Sequence, residues 1–496
     1  MSIAFQYWYL MQGGEGLPAG AIAYKNRVEA DGGTTTSLGC VPNEIWARYY
    51  PDSPAAIDIV QLYLDRIAAD GGTALLSKAE IEALLPPDWQ NASFLNIPSA
   101  RKAGTLYSII GSDFTTTRPS TAREFTSASL FSSAAIDSPR ISFAGGYKGY
   151  RSESERTNLW AWSSDYSKRT FGGSVGITTL VLGTSIIEGG KAVQVRETAT
   201  TGSHYLRANP DTTLTATTVY TSSTVFSLTA NKSFIYISLD GQSAAVRYNV
   251  RTGALIDVVG VDYISSKLTI LSSGIVELED IVYMLSITFT ASGHIGRPLM
   301  FLTDGTGGLS YAGDTNEGLT AYHHQFESAL YATNPIVTDA GVVTRSKDIA
   351  TLSGAGAQIG ELDSTVFVKF NASNFGELRT ALTIDGVEGS LKFQKLANND
   401  ISVVLFNGAT TVFSIVISGS LTGLQKLAVA YSNAGYISSL NGATGASGTL
   451  VDTQPPLTDI TLGADSDNAL HWNDTIATVA LWKSAKNQTE INEMTA

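Results

Sequence analysis

The sequence predicts a mainly β protein: tandem antiparallel β-sandwiches of the jelly-roll type, preceded by a small helical N-terminal module. Three observations predict this fold class. Apolar and polar residues alternate with a period of two over many short runs beyond about residue 159. Gly, Asn and Asp bound those runs, as they bound strands that end in turns. Helical patterns are confined to about the first hundred residues and the C-terminal end, so strands follow strands, which is typical of sandwiches.

Composition and charge narrow the functional classes. Of the 496 residues, 43% are hydrophobic and 16% are charged, which is enough apolar material for about two to four domains and excludes a disordered chain. The formal net charge of -13, without a Lys/Arg cluster, argues against direct binding of nucleic acid. Cys40 is the single cysteine, so an intramolecular disulfide is impossible and stability must come from packing or assembly.

The sequence carries no signal for membranes. Residues 1–10 are apolar but lack the basic region of a secretory signal, and no apolar run approaches the ~20 residues that span a bilayer. We therefore expect synthesis in a cytoplasm and no membrane insertion.

Residues 1–100 form the predicted helical module and contain an internal repeat. Tyr24–Thr34 recurs 39 residues later as Tyr63–Thr73, with seven of eleven positions identical. Each copy is predicted to be a helix that ends at Asp-Gly-Gly, where Gly can adopt the left-handed conformation that closes the last turn. Ser77-Lys78-Ala79-Glu80 is a capping box for another helix. The module either packs on itself or attaches the protein to a larger particle.

Three further regions follow the helical module. Residues 101–158 hold short extended pieces with little alternation and are interpreted as a β-rich stem or connector. Residues 159–345 and 346–496 carry alternating runs, and each is interpreted as one β-sandwich. A short helix is predicted at the end of the chain. Hairpins in the second sandwich are predicted at three dipeptides: Asp385-Gly386, Asn407-Gly408 and Asn441-Gly442.

Several segments resemble signatures of bacteriophage tail-fibre and minor structural proteins. Glu155–Ser167 is similar to their E-x-R-T-N-L-x-x-x-S-x-D-F-S, although Ser154 stands where the signature has its Glu. Further resemblances are those of Pro139–Phe143 to P-R-I-D-Y, of Arg247–Gly253 to Y-F-D-L-x-T-G, and of Phe326–Asp348 to a closing Q-L-E … V-T-R-x-A-D. At the C-terminus, Ile476–Trp482 followed by Thr489-Glu490-Ile491 is similar to the end of laminin-G or concanavalin-like sandwiches.

The resemblance implies a structural protein of a bacteriophage virion, a tail fibre or other surface appendage that binds a host-surface glycan. It implies a carbohydrate-binding-like sandwich over 159–345, a laminin-G/concanavalin-like sandwich over 346–496, and contact with other virion proteins through the N-terminal region. The protein would be made in the host cytoplasm and lie on the particle surface. A homo-oligomer is expected, because linked sites raise avidity, and the resemblance favours a trimer. The apolar stretch Gly104–Phe143 is the predicted interface.

The sequence shows no catalytic constellation, so we predict that the chain is not an enzyme. Glu361-Leu362-Asp363 resembles half of the carboxylate motif of laminarinase-type glycosidases, but Val366 occupies the position of the third acid. Two carboxylates ~5 Å apart could still serve a retaining glycosidase. A polysaccharide depolymerase therefore stays open as an alternative, beside a bacterial surface adhesin.

Candidate binding residues follow from residue type and position. Trp160, Trp162, Tyr205 and Trp472 lie near predicted strand edges or loops, where aromatic rings could stack on sugars; the other role open to them is core packing. No cofactor is expected, although calcium is possible. Carboxylate oxygens suit that ion, but Asp also crowds ordinary turns. The candidate calcium ligands are Asp465, Asp467 and Asp474.

Overall fold

In the computed structural model the chain divides into two compact units, Met1–Asp58 and Ile59–Ala496. The first copy of the repeat, Tyr24–Thr34, and Cys40 lie outside the described residues, and the described helices and strands all belong to the second unit. The structure describes residues 58–126, 130–142, 148–171, 175–207, 212–228, 234–239, 244–249, 254–259, 268–279, 282–291, 295–296, 298–304, 308–360, 363–373, 377–419 and 421–496.

Helices are few and strands many in this unit. Its N-terminal part contains α1 (Ile59–Ala69), β1 (Thr73–Ala74), α2 (Lys78–Glu82), β2 (Phe94–Asn96), β3 (Ala100–Lys102), β4 (Thr105–Leu106), β5 (Phe114–Thr117), β6 (Ala122–Thr126), β7 (Leu130–Ala134), β8 (Ile141–Ser142) and β9 (Gly149–Arg151). Its middle part contains β10 (Arg156–Asn158), β11 (Ile177–Val181), β12 (Val193–Glu197), β13 (Thr201–Gly202), β14 (His204–Arg207), β15 (Thr212–Thr213), β16 (Val219–Leu228), β17 (Phe234–Leu239), β18 (Ala244–Asn249), β19 (Ala254–Val259), β20 (Leu268–Glu279), β21 (Val282–Ala291), β22 (Ile295–Gly296), β23 (Pro298–Leu302), β24 (Tyr311–Ala312), β25 (Gly318–Glu327) and β26 (Val343–Arg345). Its C-terminal part contains β27 (Ile349–Leu352), β28 (Ser364–Ala372), β29 (Arg379–Asp385), β30 (Gly389–Lys395), β31 (Ile401–Asn407), β32 (Thr410–Ile417), β33 (Gly423–Ser432), β34 (Gly435–Leu440), β35 (Ala443–Gly448), β36 (Asp459–Leu462), β37 (Thr475–Trp482) and α3 (Gln488–Thr495).

Strands from the N-terminal and C-terminal parts build one sandwich, which we name the terminal sandwich (residues 73–151 and 349–482). Its ten-stranded sheet has the order β1-β3-β4-β5-β27-β36-β29-β30-β31-β32. Its eight-stranded sheet has the order β35-β34-β33-β28-β37-β9-β8, with β2 also on β37. The pairing is antiparallel: Thr116 lies opposite Ala350, and Tyr150 lies opposite Ile476.

The stem predicted for residues 101–158 is therefore wrong as a separate element. β5 pairs with β27 and β9 pairs with β37, so these pieces complete the sandwich predicted for 346–496 alone. They escaped recognition because most are two to four residues long, too short to show a period of two. The hairpin β6–β7 forms a sheet of its own.

The middle part forms a second sandwich, which we name the inserted sandwich (residues 156–345). One sheet runs β11-β12-β25-β16-β21-β20, with β10 paired to β25 and β26 paired to β10, and the other runs β14-β23-β17-β18-β19. It begins three residues before the predicted boundary, at 156 instead of 159, and ends at the predicted residue 345. The prediction of a mainly β fold with antiparallel sandwiches is confirmed, but one sandwich is inserted into the other instead of following it in tandem.

Each sandwich has its own core. In the terminal sandwich, inward residues of both sheets are fully buried, among them Leu382, Leu391 and Val479. In the inserted sandwich, Phe226, Phe289 and other apolar side chains fill the interior. Burial of each such side chain stabilises the fold by about 1.5–3 kcal/mol.

The helices pack on the outer face of the eight-stranded sheet of the terminal sandwich. Apolar residues of all three helices join sheet residues such as Phe367 and Trp482 in one buried cluster. The predicted end of the second repeat copy is confirmed: Gly71 is left-handed (φ +71°), and the Gly72 N–H donates to the Ile67 carbonyl at 2.9 Å. The predicted capping box of Ser77 is present as well. No helix in the described ranges is long and apolar enough to cross a membrane.

The described aromatic residues of the apolar stretch Gly104–Phe143 do not form an exposed interface. Tyr107 and Phe114 are at most 2% exposed because they pack within the terminal sandwich and its helices. Phe125 and Phe131, on the hairpin β6–β7, pack against the inserted sandwich. The predicted trimer interface is therefore wrong, since its own chain covers these side chains. The number of chains in the assembly stays a prediction.

Candidate functional site

The chain crosses between the two sandwiches twice, and both crossings meet at one buried group of charged side chains. The first crossing lies between β9 and β10, and the second lies between β26 and β27. The group, which we name the junction cluster, is almost completely shielded from solvent. Its members are Arg118, Arg140, Arg151, Glu153, Arg345 and Asp348.

Arginines surround both carboxylates of the junction cluster. Arg140 Nη1 donates to Glu153 Oε2 at 2.5 Å, and its other nitrogens pair with Asp348. Arg118 Nη1 donates to Asp348 Oδ1 at 2.9 Å, and Arg151 Nε donates to Glu153 Oε1 at 2.8 Å. Arg345 Nη1 lies 2.5 Å from Glu153 Oε2. Both carboxylates therefore hold several charge-assisted contacts, the strongest kind of polar contact in a protein interior.

These contacts set the charge state of the junction. Burial alone would raise the pKa of the Glu153 carboxyl, but the guanidinium groups of Arg140, Arg345 and Arg151 hold the pKa well below its usual range. The pKa of Asp348 is lowered for the same reason, by Arg140 and Arg118 against the effect of burial. Both carboxylates are thus ionised when the protein is folded at neutral pH.

Two of the segments that resemble phage signatures meet at the junction cluster. Arg140 comes from Pro139–Phe143, Arg345 and Asp348 come from the closing segment, and Glu153 lies one position before Ser154. Arg140 and Asp348 are 208 positions apart in sequence and meet in this buried network. Arg140, Arg345 and Asp348 therefore lie where the two sandwiches join and are too buried to bind a ligand from solvent.

Trp160 belongs to a core, which corrects its assignment as a glycan-binding candidate. Its ring is fully buried, stacks on Phe326 at 5.4 Å between ring centroids, and carries the Arg169 guanidinium at 4.8 Å. Asn158 of the signature fixes this segment, because its Oδ1 accepts hydrogen bonds from the backbone N–H groups of Trp160 and Phe326.

Trp162 stays a glycan-binding candidate. It is half-buried and has φ +55°, a left-handed conformation that is costly for a bulky side chain. Its N–H donates to the Asp339 carbonyl at 2.7 Å, and its carbonyl accepts from Arg169 Nε at 2.9 Å. The exposed Lys168 places its ammonium 5.9 Å from the ring centroid. The backbone is thus held in a strained state that presents part of an aromatic ring beside a cation.

Of the other two aromatic candidates, one is partly exposed and the other is buried. Tyr205 on β14 is half-buried and packs against Phe301 at 4.7 Å between centroids, so part of its ring remains open. Trp472 is 2% exposed, packs edge-on against Phe370, and donates from Nε1 to the Asn371 carbonyl at 3.0 Å. The assignment of Trp472 to a glycan site is therefore corrected, because the core of the terminal sandwich holds its ring.

The candidate calcium ligands do not form one group. Asp465 caps a turn, with Oδ1 accepting from the N–H groups of Ala469 and Leu470 at 2.7 and 3.0 Å, while Asp467 is exposed. Asp474 is buried and accepts hydrogen bonds from Asn371, Ser373 and its neighbour in the chain. Among the described residues no group of three or more His, Cys, Asp or Glu side chains could hold a metal ion.

The outer face of the ten-stranded sheet carries a row of polar and aromatic side chains. Asp459, Asp385, Ser390 and Phe406 lie opposite one another on β36, β29, β30 and β31, and Lys392 follows two residues after Ser390. They point away from the core because the alternate residues of these strands, such as Ile384 and Ile460, are fully buried. We name this row with Lys392 the sheet face. Four strands spaced ~4.8 Å apart make it roughly 14 Å long.

Two carboxylates on the sheet face lie side by side. Asp459 accepts hydrogen bonds from the Gly354 N–H at 2.9 Å and from Thr458 Oγ1 at 3.0 Å. Burial, together with the carboxylates of Asp459, Asp465 and Asp467, raises the pKa of Asp385 to about 6 although Lys392 opposes the shift. Like charges directly opposite each other on a sheet are destabilising, so this arrangement does not serve stability.

Sequence patterns do not point to the sheet face. Asp385 stands out only as part of a turn dipeptide, and Asp459 belongs to no motif. Their proximity depends on which strands pair, and that pairing has no local signal. Of the predicted carboxylate pair, Asp363 is exposed and Glu361 lies outside the described residues.

Comparison with known proteins finds similarity to solved structures only. No protein-family model matches the sequence, and no curated protein is similar to it at a significant level. The CBM40 of the Ruminococcus gnavus IT-sialidase, bound to α2,6-sialyllactose, is 11% identical over 28% of this chain and 85% of that chain, with a TM-score of 0.24. The NanB sialidase from Streptococcus pneumoniae is 17% identical over 29% of this chain and 26% of that chain, with a TM-score of 0.24. The SAP-like pentraxin from Limulus polyphemus is 8% identical over 27% of this chain and 70% of that chain, with a TM-score of 0.21. Likenesses of this size carry no conclusion about function.

Proposed function

We propose that this chain is a non-enzymatic structural protein of a bacteriophage virion, a tail fibre or other surface appendage, that binds a host-surface glycan. The virion part rests on the resemblance of four segments to phage signatures, and it is supported by the meeting of two of them, Pro139–Phe143 and Phe326–Asp348, at the junction cluster. Immunoelectron microscopy of virions with an antibody to this chain should label an appendage. Labelling confined to structures inside infected cells would contradict this part.

The observation that carries glycan binding is the sheet face. Carboxylates, a hydroxyl, an ammonium and the ring of Phe406 lie together on the outer side of the sheet, and each of these side chains is partly exposed. Carboxylates and hydroxyls can hydrogen-bond to sugar hydroxyls, and an aromatic ring can stack on a sugar ring. Trp162 and Tyr205 on the inserted sandwich would contribute separate contacts.

Binding of the purified full-length chain to host surface polysaccharide tests this proposal. We expect Phe406→Ala to weaken binding by about two- to tenfold, because stacking on one ring is worth about 0.5–1.5 kcal/mol. Val416→Ala is the matched control, since Val416 is an apolar side chain, 52% exposed, on the neighbouring strand of the same sheet. Equal binding by both variants and the unmodified chain would remove the sheet face from the glycan site.

A second candidate function is a polysaccharide depolymerase, and the pair Asp385–Asp459 is the observation that favours it. Directly opposite residues on antiparallel strands have Cβ atoms about 4.5–5.5 Å apart, which is compatible with the carboxyl separation of about 5 Å in retaining glycosidases. A carboxyl group with a raised pKa beside a second carboxyl group matches the acid and nucleophile of such enzymes. Release of oligosaccharides by the unmodified chain, and its loss in Asp385→Asn and Asp459→Asn, would establish this function in place of simple binding.

A further inference from the structure

β11 is an edge strand of the inserted sandwich: among the described strands, β12 is the one that pairs with Ile177–Val181, and β14 bonds to the chain at Val175, before β11 begins. Thr178 through Val181 are exposed on both faces, with Leu180 60% and Val181 37% exposed. The strand contains no charged residue and no proline. Proteins usually protect a free edge with such residues or with bulges, because an open edge pairs with other strands. An unprotected apolar edge therefore indicates a partner strand.

The opposite edge of the same sheet is protected in the usual way. β20 contains Glu277 and Glu279, and its register against β21 shifts at two places. β11 instead pairs with β12 over five consecutive positions without a shift. Its start is held in place, since Val175 and Tyr205 exchange two backbone hydrogen bonds of 3.3 and 3.0 Å. β11 is thus a regular edge strand that pairs with β12 without a bulge and is preceded by a residue fixed by two backbone hydrogen bonds.

The hydrogen bonds to β12 determine which backbone groups remain free. The Gly176 carbonyl accepts from the Thr198 N–H at 2.8 Å, and the Leu182 N–H donates to the Ala192 carbonyl at 2.8 Å. Even-numbered residues therefore bond to β12. Because bonding alternates along an antiparallel strand, the N–H and C=O groups of Ile177, Thr179 and Val181 point to the open side.

We propose that β11 pairs with β11 of a second copy of this chain, antiparallel and about a two-fold axis at Thr179. Thr179 then faces Thr179, and Ile177 faces Val181. Three N–H groups from each strand give six hydrogen bonds in all. On the other face Thr178 meets Leu180, so every pair consists of β-branched or aliphatic side chains.

The charge of the protein favours this place for self-contact. Each copy carries a net charge of -13, so contacts through acidic surface would repel, whereas β11 has no charge. A two-fold contact uses the same patch on both copies and closes after two chains. Five residues on each side are far fewer than the ~20 of a standard stable interface. We therefore expect a dimer that dissociates on dilution. This dimer replaces the predicted trimer, whose expected interface is buried within its own chain.

Light scattering of the full-length chain over a range of concentrations tests the proposal. The mass should fall from about twice to once the chain mass of 52.5 kDa on dilution. Thr179→Lys places two ammonium groups face to face at the axis and should give a single-chain mass at the highest concentration, while Thr117→Lys, an exposed threonine on β5, should not change dimerisation. A single-chain mass of the unmodified protein at all concentrations, or any assembly unchanged by Thr179→Lys, overturns the proposal.

Disulfide trapping tests the register independently of stability. Directly opposite residues in a hydrogen-bonded antiparallel pair have Cα atoms ~5.5 Å apart, which suits a disulfide. With Cys40 replaced by Ser, Thr179→Cys should form a cross-linked dimer under mild oxidation. Thr178→Cys should not, because it faces Leu180 of the other copy. Equal cross-linking by the two variants overturns the two-fold register.

Discussion

The junction cluster and the sheet face place carboxylates in opposite electrical surroundings. At the junction, Glu153 and Asp348 are buried among four arginines, and each carboxylate contacts at least two guanidinium groups. On the sheet face, Asp385 lies opposite another carboxylate and has one lysine nearby. Ionisation therefore stabilises the fold at the junction and destabilises it on the sheet face. Three junction residues, Arg140, Arg345 and Asp348, lie in segments that resemble phage signatures, whereas the carboxylates of the sheet face, whose arrangement stability does not explain, belong to no such segment.

The largest effect is expected from breaking the junction. Asp348→Asn removes one buried negative charge, deprives Arg118 of its carboxylate partner, and leaves Arg140 paired with Glu153 alone. Breaking a buried ion pair by removing one partner costs about 3–5 kcal/mol, because the other charge stays buried. Denaturant titration at pH 7 should show this loss in the free energy of unfolding.

Glu155→Gln is the matched control for the junction. Glu155 lies two residues after Glu153 in the same crossing, but its side chain is exposed, so its charge should contribute less than about 1 kcal/mol. If Asp348→Asn and Glu155→Gln shifted the free energy of unfolding by similar small amounts, the junction cluster would not hold the sandwiches together.

The dependence of stability on acidic pH tests whether the carboxylates of the junction cluster are ionised in the folded protein. The folded-state pKa values of Glu153 and Asp348 are lowered, so the stability that they contribute is present above their unfolded pKa values of about 4 and is lost as the pH falls below them. The difference in unfolding free energy between the unmodified chain and Asp348→Asn should be constant from pH 7 to about 5 and shrink below pH 4. A difference that grew on acidification would contradict the ionised junction.

Local structure was easier to predict from the sequence than proximity. Alternation and turn residues identified strands such as β21 and β37 nearly to their ends, because those signals are local. The sequence left the burial of Trp160 and Trp472 undecided, because an aromatic residue near a loop has the same sequence signal whether it faces solvent or core. The insertion was missed because β5 and β9 are too short to show alternation, and their partners lie far away in sequence. For the same reason, nothing in the sequence placed Asp385 beside Asp459.

The smallest effect is expected at Asp385 on the sheet face, where removing the charge should raise the free energy of unfolding instead of lowering it. The pKa of Asp385 is raised to about 6, above its unfolded value of about 3.9, so the folded state holds a proton that the unfolded state releases between these values. Stability is therefore lost as the pH rises from about 4 to about 6, and the deficit persists at pH 7. Asp385→Asn removes it and should raise the free energy of unfolding at pH 7 by about 1 kcal/mol, after allowance for solvent screening of a half-exposed group. Below pH 4 the variant and the unmodified chain should be equally stable, because Asp385 is then protonated in both states. Denaturant titrations at pH 3.5 and 7 measure both differences, and a gain of equal size at the two pH values would mean that packing, and not the charge of Asp385 beside Asp459, sets the effect.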